Sequence, residues 1–431
     1  MNNLIWFRND LRVADNISLT KASKGEKLVA VYFFDPRHYD IGDFGFKKIE
    51  KYRAKFLLET VQELKNALKK LNITLLTYNE RPEIIIPKLV NDHQIKNIYL
   101  QKEWTRDESK VKDGVIAKVP ALVNFEESYD QFLFHPEDIP YKSFKEIPEV
   151  FTTFRKKCEK NVSVSKPLPI PVPMPKQNLL EISTSIPTLE DLGFEEFQTD
   201  SRTAFPFKGG EFEALDRIEE YFWTTKKLAY YKKTRNGLVG KDYSSKLSAW
   251  LANGSISART IYWEVKRFEE EIKKNQDTYW LIFELIWRDY FKYVSLKHKN
   301  KIFMIGGILD KDYDWNNSKI AKDQWINGQT KEPFVNANMK EIAGTGWMSN
   351  RGRQNVASYW SKELKQDWRI GAAYFESMLL DYDVHSNWGN WMYNSGVGND
   401  PRDRKFNIKR QAEMYDGNGK FQNLWLQESL F

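Results

Sequence analysis

The first third of the chain carries its apolar residues in short unbroken runs. Leu4–Phe7, Leu28–Phe34, Ile73–Tyr78 and Ile98–Leu100 are such runs. Runs of this length without alternation predict strands buried on both faces of a parallel sheet. Between the second and third runs, Phe56, Leu57, Val61, Leu64, Leu68 and Leu71 recur every three or four residues. That spacing puts one apolar stripe on a helix. Pro82 to Val90 supplies a further helix before the last run. Strand and helix therefore alternate over residues 1 to about 130, the pattern of a doubly wound α/β domain. The stretch holds no G-x-G-x-x-G and no Walker loop, so the usual dinucleotide fingerprint is missing.

The pattern changes over residues 131–195. A proline stands at every second position from Pro167 to Pro175, which neither a helix nor a central strand tolerates. The segment reads as an extended interdomain linker lying along a surface. From residue 196 to 431 the period is mostly helical, over Glu211–Trp223, Thr260–Lys274, Asp277–Tyr293 and Asn355–Lys365. The expected architecture is an α/β domain, a crossing linker and a larger all-α domain.

Composition narrows the class. The net charge is +7 with 15% aromatics, compatible with a polyanionic partner and equally with an ordinary enzyme. Cys158 is the one cysteine, which excludes an internal disulfide and a cysteine-based metal cluster. The five histidines have no metal-ligand spacing, so no metal is expected. No signal peptide and no membrane span are expected, and a reducing, cytoplasmic setting follows from the cysteine usage. Of the 15 tryptophans, 13 follow residue 222.

Four segments of the helical half combine residue types that packing does not require. Tyr231–Arg235 followed by Ser244–Ser248 offers hydroxyls and amides to a phosphate, though a Ser/Lys turn also reads as a plain helix cap. In Phe283–Phe291, Glu284, Trp287 and Arg288 share one helix face. Asn350–Gln354 places Arg351 and Arg353 beside a glycine, a phosphate clamp or a solvated basic turn. Asp381–Trp391 holds two carboxylates two residues apart, with no third acid at calcium-loop spacing.

In this order and spacing, the phrases WRDYF, MSNRGRQNVASYW, DYDVHSNWGNW and GVGNDPR resemble the photolyase/cryptochrome family of flavoproteins, and its DASH branch in particular. The resemblance spans the whole chain and is most specific from Tyr231 to Arg402. It implies FAD held within the helical domain. Tyr231 and the turn Ser244, Ser245, Lys246, Leu247 and Ser248 match the diphosphate region. Asp381, Tyr382 and Asp383 match the flavin and ribose end, Arg353 the partner of Asp381, and Asn387 the residue facing flavin N5. Trp391, Trp368 and Trp315 match the family's electron-transfer tryptophans, with Trp347, Trp360 and Trp388 left as ordinary core.

Glu284, Trp287, Arg288, Asn350, Arg351, Gln354 and Tyr393 match the lesion cavity, and Arg235 and Arg351 would meet phosphates. Gln354 stands where double-strand enzymes have methionine, and Tyr393 where they have a second tryptophan. Base–aromatic stacking contributes about 1–3 kcal/mol per base, so a smaller platform favours single-stranded lesions. Asn350 and Gln354 replace the histidines of the (6-4) class, which argues against that repair. Thr330–Pro333 and Asn336 depart from the family at the cavity rim. Glu103 and Glu108 lie in a segment like the one that contacts a folate (methenyltetrahydrofolate) antenna, and also read as surface carboxylates.

The implied activity is light-driven splitting of cyclobutane pyrimidine dimers in DNA by a monomer. A blue-light photoreceptor with little repair is the first alternative, and a non-enzymatic nucleic-acid binder the second. The chain stops at Phe431, so no long signalling tail is expected.

Overall fold

The computed structural model describes residues 1–427. Five parallel strands form one sheet in the order β3-β2-β1-β4-β5. They are β1 (Asn2–Trp6), β2 (Lys27–Phe33), β3 (Leu75–Tyr78), β4 (Asn97–Gln101) and β5 (Asn124–Ser128). The order reverses on either side of β1, which makes the sheet doubly wound, and crevices open at such a reversal. Helices α1 (Ile17–Ala22), α2 (Lys51–Lys70), α3 (Pro82–Asp92) and α4 (Arg106–Ile116) cover the two faces. One apolar cluster packs on each side of the sheet, with Ile5, Leu28 and Val61 in one and Leu4, Val31 and Ile86 in the other.

The segment after β5 is more than a linker. It carries helix α5 (Phe151–Asn161), and Phe132, Leu133 and Phe134 are already buried in the helical core. The proline run stays extended but docked: Met174 N–H donates to the Leu71 carbonyl, and Leu168 N–H to Asp15.

The rest is helical: α6 (Glu211–Ile218), α7 (Tyr231–Thr234), α8 (Ser248–Asn253), α9 (Ala258–Glu271), α10 (Gln276–His298), α11 (Lys319–Ile326), α12 (Pro333–Thr345), α13 (Asn350–Ser358), α14 (Trp368–Met378), α15 (Val384–Ser395), α16 (Ile408–Tyr415) and α17 (Lys420–Leu426). No helix among the described residues is long and apolar enough to cross a membrane.

Two halves this distant in sequence are joined by buried charge. Arg259 of α9 pairs with Asp15 at 3.0 Å and Asp130 at 2.7 Å, and Arg12 pairs with Asp130 at 2.9 Å.

Candidate functional site

The Asn350–Gln354 stretch is the start of a helix rather than a turn. Ser349 caps α13 by accepting from Gly352 N–H. Position 352 takes glycine because a Cβ there would lie 1.9 Å from the Asn338 side chain. With α13 fixed, Asn350, Arg353 and Gln354 project toward α10 and the turn ahead of α15.

They meet there in one cavity of about 420 Å³. One wall is Tyr231 and the Ser244–Ser248 turn, and another holds Arg353, Asp381 and Asp383. Toward its mouth stand Arg235, Glu284, Trp287, Asn350, Gln354 and Tyr393. An adjoining cavity of about 70 Å³ shares Asp381 and Asp383 and adds Tyr382, Asn387 and Trp391.

The carboxylates are held by cations. Arg353 donates to both oxygens of Asp381, at 2.8 and 3.0 Å. Asp383 caps α15 through Ser386 N–H at 2.8 Å and accepts from the Lys292 ammonium at 2.6 Å. Burial opposes its charge, but Lys292 wins and holds the carboxyl far below the usual carboxylate range. Asn387 donates to the Ala372 carbonyl at 2.9 Å, which fixes its amide plane against the small cavity.

The turn suits an anionic group. No side chain caps α8, so its leading amides lack that partner. Lys246 is buried in left-handed backbone (φ 63°), and its ammonium has no hydrogen-bond partner among the described residues. It lies over the Tyr243 ring, 3.2 Å from the centroid. Burial pulls its pKa well down and pushes Glu341 up to about 8, against the attraction between the two. Serine hydroxyls, uncapped amides and an orphaned ammonium are a donor set that a diphosphate completes.

Other expected residues take different tasks. Arg288 donates to the carbonyls of Gln131 (2.6 Å) and Leu251 (3.0 Å), so it ties the two halves together rather than reaching for DNA. Arg235 faces inward and pairs with Glu284 at 3.0 Å. Arg351 is held by Gln354 and Asn236, at 2.9 and 3.1 Å. Trp347 is no ordinary core residue: it lines the cavity and donates to Tyr243. Tyr382 stacks under the Arg53 guanidinium, 4.5 Å from the ring centroid.

The three tryptophans lie apart in the ring packing. Trp391 packs on Phe375 and Trp325 at 5.1 and 6.2 Å, Trp368 on Trp388 at 5.7 Å, and Trp315 on Tyr313 at 5.5 Å. Trp388 is thus the neighbour of Trp368, while Trp360 is fully buried.

Sequence reasoning missed Phe151, which stacks on Trp287 at 3.6 Å. It also missed Arg404, which donates to the Tyr393 hydroxyl at 2.7 Å. Phe151 comes from the segment read as a linker and Arg404 from the stretch just past the most specific part of the resemblance, and no local pattern marks either.

Glu103 and Glu108 line a second cavity of about 350 Å³ between the two halves. Glu103 is buried, accepts from Gln101 at 2.8 Å, and has its pKa raised by that burial. His385, kept neutral by burial, stacks on Trp104 at 4.5 Å and shares a 2.8 Å hydrogen bond with Ser295. Asp383 and Arg288 line this cavity as well as the first.

Comparison with known proteins gives this geometry its family. The sequence model of the DNA photolyase family matches residues 3–176, and that of the FAD binding domain of DNA photolyase matches residues 280–429. Cryptochrome DASH of Gloeobacter violaceus is 47% identical over 428 residues, covering 99% of this chain and 85% of the relative. Cryptochrome DASH of Xenopus laevis is 45% identical, covering 98% and 82%. The crystal structure of a Synechocystis cryptochrome superimposes with a TM-score of 0.94 at 44% identity, covering 99% of this chain and 89% of that one. The chain belongs to the DASH branch of the photolyase/cryptochrome family of flavoproteins.

Proposed function

We propose that this chain is a blue-light-dependent lyase that opens cyclobutane pyrimidine dimers, with single-stranded DNA preferred. One observation carries the proposal: a single cavity is lined both by the diphosphate-type turn and Asp381/Asp383 and by the lesion-type residues Glu284, Asn350, Gln354 and Tyr393. Bound FAD would supply, when reduced and excited, the electron that opens the dimer ring.

The chain's own residues do the rest. Arg353 holds Asp381, and Lys292 holds Asp383, as fixed acceptors at the flavin end. Trp287, backed by Phe151, and Tyr393, set edge-on to Trp287 at 6.1 Å, form an apolar slot for an extruded pyrimidine dimer. Extruding the lesion costs least when the strand is already single. Gln354 spends its carbonyl on Arg351, which leaves its amide N–H groups to the cavity.

The cavity around Glu103 and His385 supports an antenna chromophore of folate type, since an aromatic wall and a buried carboxyl suit a pterin ring. Glu103→Gln should weaken methenyltetrahydrofolate binding, read from its near-ultraviolet absorbance on the protein.

The decisive experiment illuminates purified, flavin-loaded chain with dimer-bearing oligo-dT and follows absorbance at the thymine band. Recovery on single strands exceeding that on duplexes is expected. No light-dependent recovery on either would reject repair and leave the photoreceptor reading.

A further inference from the structure

We propose that Trp280, near the start of α10, is a stacking platform for a nucleotide that flanks the lesion, and that Lys232 leaves its ring for that nucleotide's phosphate. The inference rests on the DNA substrate proposed above and carries its contact outside the cavity.

Trp280, Phe283 and Trp287 follow one another at steps of three and four residues, so they share one face of α10. Phe283 and Trp287 line the cavity, and Trp280 continues their stripe beyond it. The rings run on without a gap. Trp280 stacks on Phe283 at 4.5 Å, Phe283 meets Phe151 edge-on at 5.3 Å, and Phe151 stacks on Trp287 at 3.6 Å. At the rise of an α-helix, Trp280 lies about 10 Å along the axis from Trp287. About three stacked nucleotides cover that length.

The platform is fixed and its surroundings are basic. Asn275 caps α10 and also donates to the Ala229 carbonyl at 2.9 Å, and Lys233 N–H donates to Asp277 at 3.1 Å. These bonds hold the first turn of α10 against the α7 segment. The Lys232 ammonium lies over the Trp280 indole, 4.3 Å from the ring centroid, and donates to the Gln276 amide oxygen at 3.2 Å. The Lys233 side chain is exposed beside it. Tyr230, 53% exposed, has the Lys273 ammonium 5.8 Å from its ring centroid. Nearby acids are engaged, Asp277 by the Lys233 amide and Glu159 by Arg155 at 2.9 Å and Tyr279 at 2.6 Å. Rings interleaved with lysines suit a single strand, whose bases stack and whose phosphates attract cations.

Lys232 makes the platform exchangeable. An ammonium over a partly exposed ring contributes less than a base stacked there. A flanking nucleotide brings a base for the indole and a phosphate for the ammonium, so both contacts that Lys232 gives up are replaced. The bare dimer reaches neither. A duplex keeps its flanking bases paired within their own stack, so the platform serves single strands.

Binding to flavin-loaded protein in the dark tests this. Trp280→Ala should weaken binding of a dimer extended by about three nucleotides about tenfold. Binding of the bare dinucleotide dimer should not change. Extension should matter at one end of the dimer only, because Trp280 lies on one side of the cavity. Lys232→Gln should reduce the slope of log affinity against log salt by about 0.7, whereas Trp280→Ala should keep the slope. The base analogue 2-aminopurine, placed in the flank, should lose fluorescence on binding wild type and keep it on binding Trp280→Ala. Undiminished affinity of Trp280→Ala for the extended dimer, an equal loss for both ligands, an unchanged slope in Lys232→Gln or quenching that survives in Trp280→Ala overturns the platform alone. Dimer-bearing oligo-dT that binds no better than undamaged oligo-dT overturns it together with the lyase reading.

Discussion

Asp383 shows how much one contact decides. Its partner Lys292 lies 91 residues away, and the two meet at 2.6 Å in the wall between two cavities. The Asp-x-Asp pair was legible in the sequence, whereas Lys292 was not, because nothing on α10 announces which turn it will meet. Lys292→Met should destabilise the fold by about 3–5 kcal/mol, since it strands a buried carboxylate. Urea unfolding would measure it, and adding Asp383→Asn should recover part of the loss. The folded pKa of Asp383 is depressed, so the stability from this pair is complete above the ordinary carboxylate range. It declines as pH falls below about 4. Lys292→Met should remove that part of the acid sensitivity. Trp391, beside Asn387 in the small cavity, carries a second expectation. Trp391→Phe should abolish photoreduction of oxidised flavin while sparing repair by chemically reduced protein, seen by flavin absorbance. Unchanged photoreduction would assign electron supply elsewhere.

Among the elements, close approach explains what periodicity did not. The buried strands β1 to β4 were legible because unbroken apolar runs have few alternatives. Strand β5, Asn-Phe-Glu-Glu-Ser, was not, because an edge strand with half its surface wet carries no such run. Helix α13 was read too short at its start, because Gly352 looked like a turn. It is a contact point where α12 comes within reach of α13. Gly371 plays the same part on α14: a Cβ there would lie 2.2 Å from the Trp391 indole. Gly371→Ala should cost about 1–3 kcal/mol by overpacking. It should also slow photoreduction by shifting that indole, whereas a purely structural effect would lower the melting temperature alone.

The whole molecule is held as one unit by the cluster of Arg12, Asp15, Asp130 and Arg259. Arg259→Leu would leave Asp15 without its guanidinium partner and Asp130 with one of its two. A loss of about 3–5 kcal/mol is expected, and fluorescence and circular dichroism should then report separate transitions for the two halves. Coincident transitions would show that the apolar contacts suffice. The cluster also bears on how the chain is made. Asp130 leaves the ribosome 129 residues before Arg259. At about 5–20 residues per second the gap is on the order of ten seconds. Through that interval the nascent α/β half has Arg12 for Asp130 and no guanidinium for Asp15. The first half of the protein thus leaves the ribosome with the Asp15 carboxylate at the seam held by water until the second half brings its guanidinium.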